Sequence, residues 1–253
     1  MKLRLDQAMV AENLVSTRSQ AESWIKLGKV SVDGRVVTKS GTFVRDDAKL
    51  ELSAPERYVS RAGLKLGSVA RALDLDFADK VVLDVGSSTG GFTDYALQHG
   101  AKSVYAVDVG TDQLHSSLRG DTRIELHEKT DIREVEARGM RQESRKAMKV
   151  MIDPPDIVVI DVSFISLREI LPHISNLVTQ ASSVVAMVKP QFEASRRELG
   201  SSGVVKNDSI RREILRSFEL WAKREWLIAN KADSDVAGAT GNRERFYVLQ
   251  KMI

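Results

Sequence analysis

The chain has 253 residues, 29% of them charged and 42% hydrophobic, with a formal net charge of +3. That length holds more than one average domain; no apolar run approaches the roughly 20 residues of a membrane-spanning helix and no signal-peptide core opens the chain, so a cytoplasmic protein is expected. With no cysteine there is no disulfide framework, no thiolate zinc site and no cysteine adduct of the kind used to methylate pyrimidine carbon five, and the four histidines lack metal-ligand spacing, so no metal is expected. A pI near 9.0 permits a polyanionic partner where basic residues cluster.

Lys2 to Leu14 and Arg18 to Leu27 read as two short helices, with Ser16 or Thr17 as a cap between them. Ala21, Trp24 and Ile25 mark the apolar face of the second, and Gly28 its stop. The period then changes from helical to alternating: Lys29 to Val37 alternates around Asp33-Gly34, a hairpin signal, and Lys49-Leu50-Glu51-Leu52 adds a strand before Pro55 closes a unit at residues 1–55. Lys2, Arg4, Arg18, Lys26, Lys29 and Arg35, with Lys39, gather on these elements as a candidate RNA-binding face, although acidic residues are nearly as numerous. The run from Arg18-Ser19-Gln20-Ala21 through Gly28-Lys29-Val30-Ser31-Val32-Asp33-Gly34 resembles the RNA-binding module named after ribosomal protein S4. The resemblance covers most of residues 1–53 and implies a small α+β domain that binds structured RNA.

Residues 56–66 read as a linker, with Tyr58 to Leu66 leading into a helix that reaches about Leu73 and buries Leu64, Ala70 and Leu73. Taken alone, Lys65 is a solvated helix lysine. From residue 67 to 253 strand and helix alternate as in a doubly wound parallel sheet of Rossmann-like α/β class. Strands are expected at Val81–Val85, Ser103–Asp108, Ile124–Lys129, Ile157–Asp161, Ser183–Lys189, Trp226–Asn230 and Arg245–Met252, the last two forming a hairpin that leaves the final strand antiparallel. Arg138 to Met151 reads as a helix and surface loop, and Asp153-Pro154-Pro155-Asp156 as a rigid entry turn, because it precedes its strand and carries Asp156 where amino-group methyltransferases have an aromatic residue.

The turn after the first of these strands, Gly86-Ser87-Ser88-Thr89-Gly90-Gly91-Phe92-Thr93, is neither a P-loop nor a dinucleotide fingerprint. Its glycines let backbone approach a ligand, and the acidic Asp84 beside them suits a cationic or hydroxyl-bearing one. Asp108 ends the next strand, placed to accept hydrogen bonds from both hydroxyls of a ribose. S-adenosylmethionine, a nucleoside with an amino group and a sulfonium, answers both requirements. Val109, Asp131 and Asp161 complete the expected cofactor contacts.

Ligands of an open parallel sheet sit beyond the carboxyl ends of its strands, an edge that selects Asp161 and Lys189 and, through the returning last strand, Glu244. Charges there are costly to bury unless paired. The motifs Tyr58-Val59-Ser60-Arg61, Asp84 to Asp94, Val107-Asp108-Val109-Gly110, Asp161-Val162-Ser163-Phe164-Ile165-Ser166-Leu167, Val188-Lys189-Pro190-Gln191-Phe192-Glu193, Gly203-Val204-Val205 and Gly241-Asn242-Arg243-Glu244 resemble those of the TlyA (haemolysin A) family of ribosomal RNA methyltransferases, whose catalytic domain is similar to that of the FtsJ-like ribose 2′-O-methyltransferases. The resemblance runs over nearly the whole chain. It implies a catalytic set at Lys65, Asp161, Lys189 and Glu244, with S-adenosylmethionine as cofactor and ribosomal RNA or a ribosomal subunit as partner. Lys189 is then the candidate base for a ribose 2′-hydroxyl, with the carboxylates orienting lysines and target. Methylation of a base nitrogen, with Phe164 stacking on a flipped base, would leave both lysines idle. A non-catalytic assembly factor is the rival from another class, and a membrane-active toxin lacks a spanning segment to support it.

Overall fold

The computed structural model describes residues 2–15, 18–26, 28–53, 58–139, 150–194, 204–205, 207–236, 238 and 241–252. They fall into two units, Met1–Arg61 and Ala62–Ile253. The first unit runs β1 (Lys2–Arg4), α1 (Leu5–Ala11), α2 (Arg18–Lys26), β2 (Val30–Val32), β3 (Arg35–Val36), β4 (Phe43–Arg45) and β5 (Leu50–Leu52). Leu5, Ala8, Met9, Ala21, Trp24 and Ile25 are buried, at the i, i+3, i+4 spacing that packs helix faces inward. Asp33 and Gly34 both take positive φ, 50° and 78°, as a two-residue hairpin turn of the primed type requires.

The N-terminus corrects the sequence reading. Lys2–Arg4 is a strand, not the first turn of a helix, and pairs antiparallel with the unexpected β4, Leu3 lying opposite Val44. Arg4 is extended at φ −67°, ψ 143°, and the Leu5 N–H donates to the Thr42 carbonyl at 2.7 Å. A partner some forty residues away captures backbone groups that a local helical window had assigned to a first turn. β5 pairs with β2 as a strand ending the unit would. The expected caps Ser16 and Thr17, with Leu27 and Pro55, lie outside the described residues.

The second unit comprises α3 (Arg61–Ala70), β6 (Val81–Val85), α4 (Gly91–Gln98), β7 (Ser103–Val107), β8 (Ile124–His127), β9 (Val135–Ala137), β10 (Val150–Ile152), β11 (Ile157–Ile160), α5 (Leu167–Ile174), β12 (Ser183–Val188), α6 (Pro190–Glu193), α7 (Asp208–Ala222), β13 (Trp226–Asp233) and β14 (Arg245–Lys251). Seven strands form one sheet in the order β13-β14-β12-β11-β6-β7-β8. Strand β14 is antiparallel to both of its neighbours and every other pairing in the sheet is parallel. The sheet is the doubly wound arrangement with one reversed late strand that the alternation predicts. Strand order reverses between β6 and β11, each fully apolar or buried along its length, and that switch point is where such sheets bind ligands.

Three local readings change. Helix α3 begins at Arg61, within the expected linker, and turns Gly63, Lys65, Leu66, Val69 and Ala70 inward, leaving Leu64 half-buried. Met151, expected in a helix or loop, lies in β10, which pairs parallel with β9. Val135, Ala137 and Ile152 are buried there while Met151 is exposed, a two-residue period too short to stand out in sequence. Residues 140–149 of the same expected helix and loop lie outside the described residues. Strand β13 runs on to Asp233, paired to Arg245 across a bulge near Ile228 and Asn230. At the end of the entry turn Asp156 Oδ2 accepts from the Val81 N–H at 2.8 Å, tying the start of β11 to β6.

Candidate active site

After β6 the chain turns at Gly86, with φ +80°, where an added Cβ would lie 2.7 Å from the carbonyl oxygen of Asp161. No larger residue fits between these two strand ends. Gly90, with φ +90°, opens α4 against Leu118 and Leu114, whose side chains would meet an added Cβ at 2.5 and 2.7 Å. Asp108 follows β7 and accepts the Ser88 N–H on Oδ2 at 2.8 Å and the Gly110 N–H on Oδ1 at 2.6 Å. Each oxygen keeps a lone pair for a further donor. A cavity of 320 Å³ opens here, walled by Gly86, Ser88, Asp108, Val109, Asp131 and Asp161 among others.

The remaining loop residues shape this wall from behind. Asp84 is buried and accepts from Thr93 Oγ1 at 2.6 Å. Burial pushes its carboxyl up to about 7, against the lowering effect of the Thr93 hydrogen bond. Phe92 is buried with its ring centroid 6.0 Å from that of Phe246. Asp131 caps the short turn Ile132–Glu134 and is tied to Arg133, whose hydrogen bonds hold its carboxyl below the usual range. Asp84 Oδ1 and Ser87 Oγ are buried with no hydrogen-bond partner among the described residues. Val109, 72% exposed, offers apolar cover at the rim. Orphaned polar atoms, a free carboxylate edge at the ribose position and an apolar wall together fit a nucleoside with a charged tail, as S-adenosylmethionine is.

Beside this cavity the four ionisable residues resolve into two pairs. Lys189 Nζ lies 2.6 Å from Asp161 Oδ1 and donates to Ser163 Oγ at 2.8 Å. Lys65 Nζ lies 2.7 Å from Glu244 Oε2, both side chains nearly enclosed at 11% and 3% exposure. Register explains the convergence: Val188 faces Arg245, so Lys189 and Glu244 leave adjacent strands at the same end. Lys65 comes from α3 and is buried, not solvated. Phe164 projects from the same edge at φ +66° and is 92% exposed, its ring 5.3 Å from that of Phe192. A bulky residue held in the left-handed region is strained.

Two residues gained no role from sequence and gain one here. The Glu193 carboxylate, 1% exposed, accepts from Ser166 Oγ and the Leu167 N–H, each at 2.7 Å, and so supplements the Ser166 cap of α5 while fastening the Lys189–Glu193 turn to the Asp161–Leu167 loop. Asn242, buried, accepts the Val205 N–H at 2.9 Å on its side chain and the Gly238 N–H at 2.9 Å on its carbonyl. Both stand in motifs quoted above, yet a glutamate or asparagine in a loop carries no local sign of burial. Behind Glu244, Asp233 receives hydrogen bonds from Arg245 and Arg211; burial pushes its carboxyl up, and the guanidiniums outweigh this to hold it at about 2.

Of the candidate RNA-binding residues, Lys2, Arg18, Lys26, Lys29 and Arg35 are exposed. Arg4 and Arg18 also serve the first unit's own structure. Both donate to the buried Asp6, at 3.0 and 2.9 Å. The Arg4 hydrogen bond outweighs burial, with Arg18 adding to it, and holds that carboxyl at about 2.

A parallel sheet with one reversed strand, a glycine turn after its central strand and a carboxylate after the next define an enzyme of the methyltransferase class that uses a nucleoside cofactor. An FtsJ-like methyltransferase model matches residues 58–252 and an S4 domain model matches residues 3–50. The chain belongs to the FtsJ-like methyltransferase family, and its methyl donor is S-adenosylmethionine. Among its relatives is the 16S/23S rRNA (cytidine-2′-O)-methyltransferase TlyA of Mycobacterium tuberculosis, 35% identical over 98% of this chain and 90% of that protein. Hemolysin A of Brachyspira hyodysenteriae is 35% identical over 96% of this chain and 97% of that protein. A solved structure of a hemolysin-type protein from Streptococcus thermophilus superposes with a TM-score of 0.73 at 37% identity, covering 99% of this chain and 89% of that one. Among the described residues, no helix is long and apolar enough to cross a membrane.

Proposed function

We propose that the protein methylates a ribose 2′-hydroxyl of ribosomal RNA, with Lys65, Asp161, Lys189 and Glu244 as its reacting edge. The carrying observation is the pair of lysine–carboxylate contacts beside the cavity, a set that ribose methylation uses in full and base-nitrogen methylation leaves idle. The cofactor supplies an already activated methyl group. Asp108 would hold its ribose, the Gly86–Gly90 backbone its tail, and Val109 its base.

Lys189 takes the hydroxyl proton as a neutral amine, having first released its own ammonium proton to solvent. The ammonium so formed faces Asp161 at 2.6 Å, which stabilises its new charge, while Ser163 fixes its direction. The enclosed Lys65–Glu244 pair presents a rigid charged wall that positions the attacking oxygen. Phe164, exposed at the rim, is available to stack on the target nucleotide. The first unit brings the affinity for RNA and the second the chemistry.

The test is methyl transfer to deproteinised rRNA from a radiolabelled cofactor, followed by alkaline hydrolysis. A methylated 2′-oxygen cannot attack its neighbouring phosphodiester, so the label should remain in an alkali-resistant dinucleotide. Label recovered in mononucleotides would identify base methylation instead.

A further inference from the structure

We propose that the outward face of the β1–β4 ribbon is a docking surface for an unpaired nucleotide, with the Phe43 ring as stacking platform and Lys2, Arg4 and Arg45 as phosphate contacts. The proposal rests on RNA being the substrate and names a place on the first unit where one of its bases sits. In the antiparallel register Arg4 faces Phe43 and Lys2 faces Arg45. Directly opposed residues share a face, as do residues two apart along a strand. All four side chains therefore stand on one side of the ribbon, with Leu3 and Val44 on the other. On β4 burial agrees, Val44 being buried and Phe43 66% exposed, while on β1 Leu3 is itself 36% exposed.

A single exposed apolar residue is ordinary on a protein surface. Three cations on the same small face are what give this one a ligand. Arg4 is braced through Nε and Nη2 by Asp6, each at 3.0 Å, which orients the guanidinium and leaves its side chain 39% exposed. Arg45 pairs with Asp47 at 3.3 Å, but both are largely in solvent, so a phosphate can displace this contact. Lys2 is exposed. An aromatic face among Lys and Arg side chains is the chemistry that holds single-stranded nucleic acid, because every base has a π-face and every linkage an anionic phosphate. The nucleotide must be unpaired, since a base stacked within a duplex has no face left to offer a ring on a flat ribbon.

The test uses the full chain and deproteinised rRNA, with Kd measured across a salt series. Phe43→Ala should weaken binding roughly 5- to 150-fold, the range for removing one stacked base, with the salt slope unchanged because stacking releases no counterions. Phe43→Trp should bind at least as tightly. Lys2→Gln and Arg45→Gln should each lower the slope by about 0.7, the increment for a single strand. A hairpin RNA with 2-aminopurine in its loop should be quenched by the wild type and not by Phe43→Ala, and the same probe placed in the stem should respond to neither. Wild-type affinity in a folded, cofactor-binding Phe43→Ala overturns the proposal. So does a loss confined to assembled subunits, which would make the face a protein contact. If the wild type fails to bind rRNA at all, the substrate reading falls, and the nucleotide site with it.

Discussion

Lys189 and Lys65 are both enclosed and both paired with a carboxylate, yet they should fail differently when removed. Lys189 reaches the cavity wall through Asp161 and Ser163. Lys189→Ala should lower turnover by about 10²–10⁴, as loss of a positioned base does, with melting temperature, cofactor affinity and RNA affinity retained. Arginine should not rescue it, because a guanidinium keeps its proton. An active variant, or one inactive only because it unfolds, would end the assignment. Lys65→Met leaves Glu244, 3% exposed, without its cation and should cost about 3–5 kcal/mol of stability. Combining it with Glu244→Met removes both buried charges, so thermal melting should recover while turnover does not. Recovery of both would make this pair purely structural.

At the scale of elements, the site is held by contacts between consecutive strand-to-helix connections. Glu193 joins the one after β12 to the one after β11. Glu193→Ala should cost about 1–2 kcal/mol through loss of its bonds to Ser166 Oγ and the Leu167 N–H at the start of α5. Per folded molecule, kcat should fall by an order of magnitude with KM for the cofactor unchanged, because Lys189 and Asp161 lie on the two segments that come apart. Unchanged kcat in the folded fraction would leave Glu193 a structural tie and nothing more. In the first unit, Asp6 links β1 and α1 to α2 through Arg4 and Arg18. Its folded carboxyl titrates near 2 against 3.8 for the free group, so the folded state binds its proton less readily than the unfolded. The resulting stability is present above pH 4 and lost as the pH falls through 2. Asp6→Asn should flatten that acid limb in melting curves of the full chain, and an identical limb in both proteins would show that other carboxylates set it.

Over the whole molecule, the basic ribbon belongs to the unit Met1–Arg61 and the cavity to the unit Ala62–Ile253. Residues 62–253 alone should bind S-adenosylmethionine as the full chain does in calorimetry, while losing most affinity for rRNA and part of its salt dependence. Equal RNA affinity and equal methylation by the shorter chain would show that the first unit is not the RNA anchor.

Much of the catalytic unit was legible in the sequence because its signals are local. Apolar runs ending in a charge named Asp84, Asp108, Asp161 and Lys189, and glycines before α4 marked the turn, since strand, turn and helix follow one another along the chain. The hairpin reading of the last two strands even placed Glu244 on the correct edge. What the sequence could not decide depends on partners far away in the chain. Lys65 resembled any solvated helix lysine until the fold set Glu244 against it, and Glu193 any surface glutamate until α5 arrived above it. Lys2–Arg4 carried a helical pattern that pairing with Phe43–Arg45 overrode, and the same pairing gathered an aromatic ring and three cations on one face. Periodicity reports only which side of an element is apolar; which charges are buried, and against what, is settled by strand register and long-range packing, because the cost of burying a charge depends on the partner that the tertiary structure brings to it.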